Sequence, residues 1–161
     1  MRITSLALAT ILVLSCAELA FGNEVKYRPG GKAFSRAWDA FYTDTPHEPE
    51  IPAPLVAAGP KMTMAICEAV THKDMMYRRY AIAALGIVGD RRALPTLEKI
   101  MNDESEIDYF RGDALQSIFR IDRALGRRYA KQHINGPDYL KMTSAAIERN
   151  ETWLTAPWGR H

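Results

Sequence analysis

The chain has 161 residues, of which 47% are hydrophobic and 25% charged, and this is the composition of one soluble globular domain. Its 21 basic and 19 acidic residues leave a net charge of +2, which is too balanced to indicate a nucleic-acid-binding protein. We therefore expect no nucleic acid among its partners.

The first 22 residues have the pattern of an export signal. A short positive start is followed by an uncharged apolar run from Ile3 to Leu14, and Ala20-Phe21-Gly22 places small side chains where a signal peptidase inspects them. The apolar run is shorter than the roughly 20 residues that a membrane span needs. We predict a cleaved signal peptide over residues 1–22, with Asn23 as the first mature residue, and hence a periplasmic or secreted protein.

A second interpretation of the same segment stays open. Val13-Leu14-Ser15-Cys16 resembles a bacterial lipobox, whose cysteine is lipidated and begins the mature chain. A lipid on Cys16 would tether the protein to a membrane surface without spanning it, and this is the one membrane association we expect. In either case Cys67 is the remaining cysteine, so an internal disulfide is excluded. We interpret Cys67 as a small core residue, with an intermolecular disulfide as the alternative.

Residues 23–58 are predicted to form a capping helix and a proline-rich connector. The apolar side chains of the first part recur at helical spacing, at Phe34, Ala37, Trp38 and Phe41. This stripe is typical of a short amphipathic helix that covers a core. Four prolines then fall within nine residues, at Pro46, Pro49, Pro52 and Pro54. Because proline lacks an amide donor and fixes φ, they predict an extended connector.

Residues 59–149 are predicted to be consecutive helices with short breaks, and no segment shows the alternation of a strand. Pro60 suits the first turn of a helix. The buried face of that helix is predicted at Met64, Cys67 and Val70. Asp74 is expected to N-cap the next helix, which runs to Ile87.

Gly86 and Gly89 are predicted to flank a tight turn, after which Asp90 caps another helix. The core side chains of that helix are predicted at Leu94, Leu97, Ile100 and Met101. The polar run from Asn102 to Glu106 predicts a loop.

Three more helices are predicted before the end of the chain. The first spans roughly Ile107 to Ile121, with Phe110, Ala114, Leu115 and Ile118 buried. A poorer helix from Asp122 to Ile134 stops at Asn135-Gly136-Pro137. Asp138 is expected to cap the last helix, and an aromatic tail follows at residues 150–161.

The segment from Tyr77 to Leu97 resembles a HEAT-like repeat of the subtype first noted in phycobilisome lyases. That pattern has Arg and Ala on a first helix, the turn Ala-Leu-Gly-x-x-Gly-Asp, and Ala, Pro and Leu on a second helix. Here the turn reads Ala84-Leu85-Gly86-Ile87-Val88-Gly89-Asp90. The resemblance covers about half of the mature chain.

A second, weaker copy begins 33 residues later, and a period in the thirties is typical of stacked helix pairs. Tyr77, Arg78, Ala81, Leu85 and Val88 correspond to Phe110, Arg111, Ala114, Ile118 and Ile121. In the other direction, Pro60 to Thr71 matches the second helix of a preceding unit. The second copy lacks the glycine turn and has Phe119-Arg120-Ile121-Asp122 instead.

The resemblance implies an all-α fold, namely a short right-handed stack of antiparallel helix pairs with an N-terminal capping helix. Small Ala81 and Ala84 would let neighbouring helices approach closely, and Arg78 or Arg79 would reach the acidic turn of an adjacent unit. Such stacks leave long surfaces free for partners. The related lyases handle chromophores in the cytoplasm, and an export signal argues against that activity.

No catalytic residue, metal site or cofactor is predicted. The four histidines, His47, His72, His133 and His161, are scattered, whereas a zinc site needs three or four converging ligands. The serines lie in no nucleophile motif such as Gly-x-Ser-x-Gly.

Two surface features are candidates for partner binding. A basic stripe recurs at helical spacing, at Arg120, Arg123, Arg127 and Lys131, and is widened by Arg128. It would either pair with the acidic turn at residues 103–108 or dock an acidic partner or anionic lipid headgroups. The second feature is the tail with Trp153 and Trp158, which would either bind a partner or fold over the last helix.

These observations predict an exported, non-enzymatic module that binds another protein. An immunity protein against a secreted toxin fits this size and compartment, and so does an accessory factor of envelope assembly. Two other classes stay open: a lyase-like, chromophore-handling HEAT protein, and a structural lipoprotein tethered through Cys16.

Overall fold

The computed structural model describes residues 24–43 and 50–156, and within these ranges it contains eight α-helices and one isolated bridge, between Val25 and Met75. The helices are α1 Ser35–Phe41, α2 Ala53–Ala58, α3 Thr63–Ala69, α4 Arg78–Val88, α5 Leu94–Asn102, α6 Asp108–Ile121, α7 Arg123–Gln132 and α8 Asp138–Glu148. The predicted all-α class is confirmed. In the part of the chain described, no helix has the length and apolarity to cross a bilayer.

The helices stack in two layers, with α6 at the centre. One layer contains α4, α6 and α8 side by side. The other layer contains α5, which packs on α6, and α7, which packs on both α6 and α8. At the N-terminal end, α3 and α2 pack on α4, and α1 packs on α2. Trp38 and Phe41 of α1 are buried in the same core, as the aromatic stripe predicted.

Small residues of α4 lie where this helix packs on its neighbours. Ala81 and Ala84 are fully buried, as predicted. Gly86 also lies within α4, so its assignment to the turn is wrong. A Cβ at Gly86 would stand 2.7 Å from the Cα of Ser117 on α6. The turn itself depends on Gly89, which ends α4 with a φ of 74°.

Asp90 caps the short helical turn Arg91–Ala93 that leads into α5, rather than α5 itself, and its side chain accepts a hydrogen bond from the Arg92 amide at 3.0 Å. Asp74, by contrast, does not cap α4. That helix begins only at Arg78, after Tyr77 in the left-handed region at a φ of 58°. The Asp74 carboxylate instead accepts a hydrogen bond from the Tyr27 hydroxyl at 3.0 Å.

The N-terminus of α8 is capped by a residue from another helix. Asp108, the first residue of α6, accepts hydrogen bonds from the amides of Tyr139 at 2.6 Å and Leu140 at 3.0 Å. The predicted cap, Asp138, makes no such bond. Since these amides have no partner within their own helix, the Asp108 carboxylate supplies one and ties α6 to α8.

The proline-rich region contains a helix where an extended connector was expected. Residues 53–58 form α2, with Pro52 at its N-cap and Pro54 in its first turn. Proline is tolerated there because the first amides of a helix need no intrahelical acceptor. Pro46 and Pro49 lie outside the described residues.

The buried face of α3 also differs from the prediction. Met64 is 55% exposed, whereas Thr63 and Ile66 are fully buried. Cys67 and Val70 are buried as predicted. The short helical turn at Pro60–Met62 precedes α3, so the helix begins later than the prediction assumed and its face is rotated.

The second helix pair turns without glycine. Between α6 and α7 stands one residue, Asp122, in an extended conformation with a φ of −144°. Its side chain accepts a hydrogen bond from the Leu125 amide at 3.0 Å and so caps α7 directly. The missing Gly-x-x-Gly of the second repeat copy is thereby explained: an extended aspartate reverses the chain.

Candidate functional site

Two arginines at equivalent positions of the two repeat copies link the units of the stack. Arg78 Nε donates to the Val70 carbonyl at 2.7 Å, and Arg111 Nε donates to the Met101 carbonyl at 2.9 Å. Both carbonyls lie at the C-terminal end of a helix, α3 for Val70 and α5 for Met101, where intrahelical donors are lacking. Arg78 also forms a buried ion pair with Glu106, at 2.7 Å. This confirms the predicted contact with the acidic turn.

The neighbouring Arg79 belongs to a different arrangement. Its Nε donates to Asp113 at 2.6 Å, and its Nη2 donates to the Tyr139 hydroxyl at 2.7 Å. The Tyr139 hydroxyl in turn donates to Asp113 at 3.1 Å. Burial raises the pKa of Asp113, while the hydrogen bond and charge of Arg79 oppose that shift. Burial also raises the pKa of Tyr139 to about 12, so its hydroxyl keeps its proton at neutral pH.

A groove of about 500 Å³ opens where α4, α6 and α8 begin. Its charged lining comes from Glu24, Arg78 and Arg79. Its other walls are Met75, Tyr77, Tyr80, Tyr109, Phe110 and Tyr139. We call these nine residues the tyrosine groove.

The guanidinium of Arg79 is held between aromatic rings of this groove. It lies 5.8 Å from the ring centre of Tyr109 and 5.6 Å from that of Tyr139. Tyr109 is 38% exposed. Within the described residues, the hydrogen bonds of Arg79 use Nε and Nη2. The groove therefore offers a fixed cationic donor and an accessible aromatic surface to a ligand.

The predicted basic stripe is split by the turn between α6 and α7. Arg120 belongs to α6, where burial lowers its pKa and its Nη2 donates to the Ala156 carbonyl at 2.9 Å. Its inclusion in the stripe is therefore wrong, because the helix does not continue through Asp122. The other four cations are exposed on α7: Arg123, Arg127, Arg128 and Lys131. We call these four residues the α7 basic face.

The α7 basic face does not pair with the acidic turn. Among the described residues, Asp103 forms an ion pair with Lys73 at 2.9 Å, and Glu106 forms one with Arg78. Arg127 donates instead to the side-chain amide oxygen of Asn150 at 3.2 Å, and the Arg123 guanidinium lies 5.9 Å from the ring centre of Phe119. The intramolecular alternative for this surface is thus not observed.

The tail folds back over the helices through its backbone. Leu154 is fully buried, and its carbonyl accepts a hydrogen bond from Gln116 of α6 at 3.2 Å. Trp153 remains 39% exposed, with its indole N–H donating to Glu151. The tail is anchored by leucine, whereas Trp153 is available to a partner. Trp158 lies outside the described residues, as does Cys16.

The remaining candidates have structural surroundings. Cys67 is a buried free thiol, and burial raises its pKa. His72 stacks on Tyr27 with ring centres 3.9 Å apart. In residues 24–43 and 50–156 no group of three His, Cys, Asp or Glu side chains is placed to hold a metal ion. His47 and His161 lie outside those ranges.

Comparison with known proteins agrees with the stack of helix pairs. The family model for HEAT repeats matches residues 57–118, which run from α2 to α6. No curated protein matches the chain, and no solved structure does. The family match covers the residues that carry the repeat pattern and the buried arginines, so residues 57–118 of this chain form HEAT-like repeats.

Proposed function

We propose that the chain is an exported, non-enzymatic scaffold that binds an extended segment of a partner protein in the tyrosine groove. HEAT repeats are helical scaffolds that mediate protein–protein interaction. The observation that carries the proposal is Arg79, fixed by Asp113 and Tyr139 in an aromatic groove. Tyrosine and arginine dominate the binding energy of protein interfaces, and a side chain that is already ordered loses less entropy on binding.

The groove fits a peptide backbone better than a compact small molecule. It is open to solvent, with aromatic side chains from three helices and the partly exposed guanidinium of Arg79, which donates hydrogen bonds. A carbonyl or carboxylate of an extended segment would accept from Arg79, and its side chains would pack on Tyr109 and Tyr139. Asp113 is committed to Arg79 and Tyr139, which argues against its use as a catalytic base.

Export remains part of the proposal on the strength of residues 1–22. In that compartment the protein would serve as an immunity protein for a secreted toxin or as an accessory factor of envelope assembly. Mass spectrometry of the native N-terminus separates cleavage before Asn23 from lipidation of Cys16. A gene for a secreted toxin beside this one would favour immunity.

The groove is tested by partner capture with matched aromatic variants. Tyr109→Ala removes an aromatic side chain from the groove, and Trp153→Ala removes a similarly exposed one from the tail. The unmodified protein, once immobilised, should capture a partner from extracts of its own source. We expect the Tyr109→Ala protein to capture at least tenfold less of this partner, and the Trp153→Ala protein to capture the same amount. Unchanged melting temperatures would show that both variants are folded.

The opposite pattern would place the interface at the tail. Capture unaffected by either variant would refute the groove as the binding site.

A further inference from the structure

The α7 basic face carries more positive charge than the fold neutralises. Between Arg123 and Gln132 the sequence has four cations and no acidic residue. None of the four forms an ion pair within the described residues. The nearest carboxylate in sequence, Asp122, is already paired with Arg91 at 2.9 Å.

The spacing of these cations destabilises the helix that carries them. Arg123 and Arg127 are four residues apart, as are Arg127 and Lys131, and like charges at that spacing repel each other. Arg123 is also the first residue of α7, where the helix dipole disfavours a cation. Because no ion pair within the described residues offsets this repulsion, an external anion would relieve it.

From this exposed, unneutralised charge we propose that the α7 basic face binds the surface of an anionic lipid bilayer. The face lines neither the tyrosine groove nor the cavity near Lys73 and Lys99. A bilayer presents a continuous field of phosphates, which needs no fixed register with the cations. Clusters of four or more Lys and Arg on one helix suit such a surface.

An exposed apolar residue follows α7 in the chain. This residue, Ile134, is 37% exposed, which would let it enter the interfacial region. The inference concerns a surface other than the tyrosine groove and does not depend on the proposed function. It also does not require a lipid on Cys16, although one acyl chain together with a basic patch would hold the protein far more firmly than either alone.

The test is co-sedimentation of the full chain with vesicles of phosphatidylcholine alone and of phosphatidylcholine mixed equally with phosphatidylglycerol. We expect binding to the anionic vesicles only, weakening as salt screens the charges. Changing Arg123, Arg127, Arg128 and Lys131 to Gln should weaken the partition coefficient roughly fivefold per charge, which for four charges removes measurable binding. Removing like-charge repulsion should leave the melting temperature equal or higher.

A control variant has the same net charge as the α7 variant, because it loses four positive charges on other surfaces. It changes four exposed cations to Gln, namely Lys26, Lys32, Arg36 and Lys141. Retained vesicle binding by this control would support the α7 basic face. Equal loss in both variants would show attraction by overall charge, and no binding by the unmodified chain would refute the proposal.

A soluble acidic polymer distinguishes an acidic protein partner from an anionic lipid surface. If polyglutamate binds in an α7-dependent way while anionic vesicles do not, the partner is an acidic protein and the lipid assignment is wrong. The salt dependence of the unmodified chain gives a second readout, because it needs no variant to fold.

Discussion

The arginines of the α4–α6 interface and those of α7 show how one residue type takes two roles in the same stack. Arg78 is 2% exposed and is held by Glu106 and a helix-end carbonyl, whereas Arg123 and Arg127 are exposed on α7 without an ion-pair partner in the described residues. A buried guanidinium depends on acceptors within the fold, whereas an exposed one is hydrated. Position in the layers, rather than sequence spacing, therefore decides whether an arginine belongs to the fold or to a surface.

The largest difference between the two groups of arginines is expected when Arg78 is replaced. Arg78→Met would leave the Glu106 carboxylate buried without its counter-ion and the Val70 carbonyl without its donor. We expect the free energy of unfolding to fall by about 3–5 kcal/mol, as when one partner of a buried pair is removed. Urea denaturation measures this loss, with Arg123→Met as the matched control.

The control should stay within about 0.5 kcal/mol of the unmodified chain, because Arg123 is exposed. The double variant Arg78→Met/Glu106→Gln should recover part of the lost stability by removing the stranded charge. Equal effects of Arg78→Met and Arg123→Met would contradict the distinction between the two regions.

The sequence predicted the helices wherever periodicity and local caps agree. The cores of α5 and α6, the cap at Asp90 and the glycine at position 89 all follow from residues close together in the chain. The failures have a common cause in contacts across the stack. Asp138 was expected to cap α8, but Asp108 of another helix does so, and no local pattern indicates that.

The tyrosine groove was missed for the same reason. Tyr77, Tyr109 and Tyr139 are far apart in sequence and meet only because α4, α6 and α8 share a layer. A signal was nevertheless present, since each of these helices begins with or beside a tyrosine. The predicted basic stripe was wrong at Arg120, because a single extended residue, Asp122, separates α6 from α7.

A smaller effect is expected where the α4–α6 contact depends on the absence of a side chain. Gly86→Ala would place a Cβ 2.7 Å from the Cα of Ser117, which is backbone and cannot rotate away. Helix propensity favours alanine by about 1 kcal/mol, whereas overpacking costs about 1–3 kcal/mol. We therefore expect a net loss of up to about 2 kcal/mol, measured by urea denaturation. A stabilised variant would mean that α4 and α6 lie farther apart than described.

The smallest effect is expected at His133, which follows α7 and lies at the boundary of the two regions. Burial lowers the pKa of His133 below 6.5, and the charge of the buried Arg111 lowers it further. Between the lowered folded pKa and 6.5, the unfolded chain binds the proton that the folded chain does not, so folding stability falls as pH drops through this window. His133→Gln should flatten the profile of unfolding free energy against pH there. Because the side chain is only partly buried, the expected change is under about 1 kcal/mol, and an unchanged slope would show that burial and Arg111 do not lower the pKa of His133.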